Sequence, residues 1–319
     1  MTNLSALQKR LSETGISNEE YLLREKEFQD AYYACRSRAE NGLFGRMSLK
    51  TRKRLHFIIL SIFTIKNHLS GFTHRILCDG RQMVDRPLIF AVTHVGKYDI
   101  EVVSEAIRDH YYLLMGDYEH IQGKVEEPFL NLNGVIYFNE KVKEERQAVP
   151  GRMVDVLRNG GNLMYFPEGA WNLSPNLPVL PCYWGIIDVA REGNAVIVPI
   201  AADQYGKHFD IAIGENMDMN LYGDGKDEKS RAITDLRDTL ASLKWEIWRQ
   251  HSAKRSEIVE DEWENYCNDR CREWSEDFSR EFLDEYIYKP KGVTTPAEAF
   301  AFMRSLKPCR ENAFLFRKM

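Results

Sequence analysis

From about residue 85 onward the chain is built of short, nearly continuous apolar runs. These are "PLIFAVTH" (87–94), "YYLLMG" (111–116), "GVIYFN" (134–139), "GNLMYFP" (161–167) and "AVIVPI" (195–200). Between them lie stretches with helical periodicity, "DIEVVSEAIRDH" (99–110) and "PGRMVDVLRNGG" (150–161) among them. Strands that are apolar on both faces and alternate with helices predict a mainly parallel sheet covered by helices, an α/β fold. "KHFDIAIGE" (207–215) alternates more strongly and reads as an edge strand.

The flanks have a different texture. Residues 18–40 and 47–69 carry helical patterns separated by "NGLFG", whose two glycines suit a turn. After the last strand come helical patterns over 226–250 and 254–287. A shorter one opens at "TTPAEAF", where Thr295 can cap and Pro296 suits the first turn. The division expected is a helical segment 1–71, an α/β core 72–222 and a helical C-terminal addition 223–319.

Charge adds to this picture at two places. The stretch "RMSLKTRKR" (46–54) holds five basic groups and no acid, directly before the apolar run "FIILSIFTI" (57–65). That run is far short of the ~20 apolar residues a spanning helix needs. A basic start followed by an apolar middle suits a helix lying in the interface of an anionic membrane; a core helix with a solvated basic end is the other reading. Residues 256–288 carry twelve carboxylates against three arginines, with aromatic residues at helical spacing (Trp263, Tyr266, Trp274, Phe278, Phe282). That pattern reads as a helix with one packed face and one acidic, solvated face. The formal net charge of -5 argues against general nucleic-acid binding.

The N-terminus lacks the apolar region of a signal peptide, so a cytoplasmic, peripherally membrane-associated protein is expected. Six scattered cysteines with no CxxC pair and no metal-spaced histidines speak against a disulfide framework or a metal site. No glycine-rich phosphate loop, GxSxG or HExxH occurs.

In a parallel sheet ligands gather at the carboxyl ends of the strands, and there the chemistry-bearing residues concentrate. His94 ends "PLIFAVTH", Asp99 falls in the first turn of the following helix, and Glu168 follows "NLMYF". An imidazole can take the proton of an attacking hydroxyl while a carboxylate on its other nitrogen fixes the tautomer and stabilises the imidazolium. The nucleophile would be the substrate's own hydroxyl. Gly96 lets the backbone approach closely, so that amides of this turn would bind a developing oxyanion. H-x4-D alone is a common pattern, and a structural His–Asp bond gives the same spacing.

The pattern comes with others in order. "HVGKYD" (94–99), "GVIYFNE" (134–140), "FPEG" (166–169) and the "VIVPI" strand with Pro199 together resemble the glycerolipid acyltransferases, the lysophosphatidic acid acyltransferase-like enzymes, across roughly 85–202. The N-terminal helical pair also resembles the membrane-binding helices of that family. The resemblance implies transfer of an acyl group from a thioester, acyl-CoA or acyl-carrier protein as co-substrate with no other cofactor, to a hydroxyl of a lipid-like acceptor. It gives His94 the role of base and Asp99 that of its orienting carboxylate. Phe166, Pro167, Glu168 and Gly169 would line the acceptor side, Glu168 bonding acceptor hydroxyls or holding the loop.

Two departures bear on the acceptor. Where the family carries phosphate-binding arginines, this chain has Glu140 after "YFN", and Ala170, Trp171 and Asn172 after "FPEG". Losing the bidentate phosphate ligands points to an acceptor without a phosphomonoester, with Glu140 bonding hydroxyls or an ammonium and Trp171 stacking on a sugar or acyl face. Lys97 and Lys141 would partly compensate as point charges. The alternatives are a lysophosphatidic acid acyltransferase of phospholipid synthesis and a catalytically inactive lipid-binding protein of the same fold.

Overall fold

A computed structural model describes residues 40–96, 98–116, 126–139, 142–172 and 177–251, with scattered helical positions between Leu23 and Asn41. The patterns expected at 254–287 and after Thr295 lie outside these residues.

A 21-residue helix α1 (Leu49–Leu69) opens the continuous part, its first turn capped by Ser48, whose hydroxyl accepts from Thr51 N. There follow β1 (Thr73–Asp79), β2 (Leu88–Val92), α2 (Asp99–Ile107), β3 (Tyr112–Met115), α3 (Glu126–Asn133) and β4 (Val135–Tyr137). Next come α4 (Lys143–Arg158), β5 (Leu163–Tyr165), α5 (Gly185–Glu192), β6 (Val196–Tyr205), β7 (His208–Ile213) and the long α6 (Lys226–Gln250).

The strands form one seven-stranded sheet in the order β1-β7-β6-β2-β5-β3-β4. From β6 to β4 all neighbours are parallel. At β7 the chain turns back antiparallel to β6, and β1 lies parallel to β7. The sheet is thus mainly parallel and helix-covered, an α/β architecture.

Both faces are buried, which is why the central strands read as unbroken apolar runs. Ile89 and Ala91 of β2 point with Leu163 and Ile197 into a core built against α4, α5 and α6. Phe90 and Val92 point with Leu113, Met164 and Val198 to the opposite core, closed by Val102, Val103, Ala106 and Ile107 of α2.

Three features depart from the sequence-based expectation. β1 had no counterpart among the predicted strands: it is a mostly exposed edge strand, "THRILCD", whose Arg75 pairs with Asp210 of β7. β7, expected at the edge, is therefore second from it. α4 begins at Lys143, seven residues before Pro150, and carries that proline inside it.

α1 packs on α2 and α3 through Ile59, Leu60 and Phe63. Its other face leaves Phe57, Ile58, Ile62, Ile65 and Leu69 exposed. No helix among the described residues is long and apolar enough to cross a membrane.

Candidate active site

The register of β2 against β5 places the two motif loops side by side. Ala91 pairs with Tyr165, and three residues beyond each stand His94 and Glu168. The backbone N–H of His94 donates to Glu168 Oε1 at 2.9 Å, joining the two loops.

His94 Nδ1 is 2.7 Å from Asp99 Oδ2. Asp99 is fully buried at the first position of α2, and the same oxygen accepts from the backbone N–H of Val95 (2.9 Å) and Gly96 (3.2 Å). Three donors thus converge on one oxygen at the helix N-terminus and hold the carboxylate against the ring. That carboxylate fixes a proton on Nδ1 and leaves Nε2, the opposite ring nitrogen, for proton exchange. The imidazole stays partly open to solvent, its side chain 20% exposed. Its face is stacked on Phe166 at 4.1 Å, and the indole of Trp171 meets it edge-on at 5.8 Å. Asn172 N donates to His94 O at 2.7 Å, tying the loop after "FPEG" back to β2.

Gly96 has a different place from the one expected. Its N–H and that of Val95 turn inward to Asp99, so these two amides support the carboxylate and are not presented to an oxyanion.

Glu168 is 4% exposed. Oε1 accepts from His94 N and Oε2 from Leu180 N at 2.7 Å, so of the two roles expected for it the carboxylate performs the loop-holding one. Burial pushes its pKa up, opposed by the two amides and by the positive charge of Lys244. Gly169 adopts a left-handed φ of 63°, and an added Cβ would sit 2.4 Å from the Tyr183 ring. Pro167 O accepts from Tyr183 N at 2.8 Å. Cys182, beside Glu168, is an unreactive thiol: burial raises its pKa to about 12.

The fold thus brings together His94, Gly96, Asp99, Phe166, Pro167, Glu168, Gly169 and Trp171. Lys97, Glu140 and Lys141 lie outside the described residues. Sequence reasoning missed Thr93 and Leu180. Leu180 acts through its backbone N–H, which no residue type signals. Thr93 Oγ1 accepts from Ala202 N (3.0 Å) and donates to Ala202 O (3.2 Å), anchoring the end of β2 on β6. No cluster able to hold a metal occurs among the described residues.

A His–Asp bond at the end of a strand of a parallel sheet is an arrangement able to take the proton of a hydroxyl. Residues 75–203 match the acyltransferase family model, so this part of the chain is similar to acyltransferase domains. Among solved structures, the fold is similar to the 1-acyl-sn-glycerophosphate (LPA) acyltransferase PlsC from Thermotoga maritima, with a TM-score of 0.50 and 14% identity. That alignment covers 70% of this chain and 97% of the other. No curated protein matches the chain.

Proposed function

We propose that the protein moves a fatty acyl group from a thioester donor, acyl-CoA or acyl-carrier protein, to a hydroxyl of a lipid-like acceptor lacking a phosphomonoester, at the surface of an anionic membrane. The observation that carries the reaction is the His94–Asp99 bond, which commits Nδ1 and leaves Nε2 as the base. The acceptor oxygen attacks the thioester carbonyl as its proton passes to Nε2, and Asp99 stabilises the imidazolium. Collapse of the tetrahedral adduct breaks the C–S bond, and the departing thiolate takes the proton back from His94.

The acceptor reading rests on what stands in the loops. Trp171 lies against His94, where an apolar or sugar face would rest on it. Glu140, whose carboxylate would repel a phosphomonoester, occupies the position where the family carries an arginine. The membrane reading rests on α1. Lys50, Lys53 and Arg54 line a groove of about 420 Å³ with Leu49 and Phe57, and the exposed apolar stripe continues from it. Arg52, also in the basic stretch, is not part of this surface. It is buried, with its guanidinium on the carbonyls of Phe44, Asn131 and Leu132.

A competition assay tests the acceptor. Lysophosphatidic acid, an uncharged monoacyl glycolipid and an amine-bearing lysolipid are offered together with palmitoyl-CoA, and products are compared by kcat/KM. Preference for either of the last two is expected, and Glu140→Arg should then shift it toward the phosphate. Preference for lysophosphatidic acid would overturn the acceptor reading and give Lys97 and Lys141 the phosphate.

A further inference from the structure

The bond from Nδ1 to Asp99 holds one point of the His94 ring and no more. An imidazole held only there can still swing about that bond and carry Nε2 out of line with an incoming hydroxyl. The second constraint comes from Phe166. Its ring lies face to face with the imidazole, the centroids 4.1 Å apart and the planes 25° from parallel. Phe166 follows Tyr165, the β5 residue that pairs with Ala91, and its carbonyl accepts from Gly169 N at 3.1 Å. Its side chain packs against the core that contains Phe90, Val92 and Met164. The ring under the base is therefore seated on the sheet and is not a loose loop residue.

From this arrangement we infer that Phe166 is a positioning residue for acyl transfer: its face sets the plane of the His94 ring and favours the imidazolium over the neutral imidazole. The inference rests on the acyltransferase reading of the site. It also moves Phe166 from the acceptor-lining surface, where the family resemblance places it, to a position against the base.

An aromatic face carries the negative part of the ring quadrupole and attracts a cation centred within ~6 Å. On His94 that cation exists only once the acceptor proton has reached Nε2. The attraction therefore grows along the reaction and lowers the barrier without tightening substrate binding. Among the described residues, the charged groups bonded to His94 are Asp99 of α2, on Nδ1, and Glu168 of the loop after β5, on the backbone N–H. Neither is changed by altering the Phe166 ring.

The test places mono-, di- and trifluorophenylalanine at position 166 of the full chain, a series that drains the π face while nearly keeping the shape of the ring. Single-turnover palmitoyl transfer from palmitoyl-CoA, to whichever acceptor the wild-type protein uses best, should slow with each fluorine. The loss should reach about two- to fivefold with three, while the half-saturating acceptor concentration and the melting temperature stay where they are. Phe166→Leu, which keeps apolar bulk without a π face, should be at least as slow, and Phe166→Tyr should recover most of that loss. In the same fluorinated proteins, NMR of the His94 ring should show it taking up its proton at progressively lower pH, since only the charged ring is favoured by the face. Rates and proton uptake that stay flat along the series would overturn the role given to Phe166. So would an effect confined to the half-saturating acceptor concentration, which would return the ring to the acceptor surface. Wild-type protein that transfers no acyl group, while the His94 ring still follows the series, would leave the contact standing and overturn the reaction instead.

Discussion

The outer face of α1 allows a quantitative test of membrane docking. Lys50 and Arg54 are followed by Ile58, Ile62, Ile65 and Leu69 at helical spacing, a basic start running into an apolar stripe on one side. Fully burying an isoleucine contributes ~1.5–3 kcal/mol. Ile62 and Ile65 are 41% and 60% exposed, so each has about half that transfer left to gain, roughly 1 kcal/mol. Replacing both with serine should weaken partitioning by about 2 kcal/mol, close to 30-fold. Neutralising Lys53 and Arg54 should cost a similar amount on anionic vesicles, ~1 kcal/mol per charge, and added salt should reproduce that loss but not the loss from the isoleucines. Sedimentation with phosphatidylglycerol/phosphatidylcholine vesicles reads both effects. Binding unchanged by Ile62→Ser/Ile65→Ser would refute the assignment of this face to the membrane.

Arg52→Ala is expected to act differently from its neighbours, lowering stability by about 2–3 kcal/mol in urea unfolding because three carbonyls lose a buried charged donor. Gly169→Ala should cost about 1–2 kcal/mol for the left-handed φ alone, with a larger loss of turnover as the Tyr183 ring is displaced from the loop; melting and rate measurements separate the two. His110 has its pKa pulled down by burial to about 4. Its ordinary value of about 6.5 applies when unfolded, so its neutral form contributes stability above that pH which is lost as pH falls from 6.5 toward 4. The loss approaches roughly 3 kcal/mol and should be absent from the same pH series on His110→Gln.

How far the sequence reveals this molecule depends on whether the responsible contact is local. β2 to β6 are legible because burial on both faces leaves unbroken apolar runs, and α6 because its periodicity is long. β1 is hidden because an exposed edge strand needs no apolar pattern; what fixes it, Arg75 on Asp210, spans 135 residues. α1 is ambiguous because it is apolar on two sides, Ile59 and Phe63 inward, Ile58 and Ile65 outward, so periodicity does not separate core from membrane face. For the same reason Arg52 looked like a surface cation while serving as an internal donor. At the site, the His94–Asp99 pair is legible because a single short loop joins two residues five apart. The partners of Glu168 are not, since both are backbone amides brought in by strand register and by a loop twelve residues on.

Whether His94 is the base for acyl transfer to a hydroxyl is read from the single-turnover rate of palmitoyl transfer from palmitoyl-CoA into a total lipid extract, resolved by mass spectrometry. Wild-type protein should form an acylated lipid, and His94→Ala should form the same product ~10² to 10⁴ times more slowly while melting as the wild type does, with Asp99→Asn also impaired. An acylated product formed by His94→Ala at the wild-type rate would contradict the mechanism.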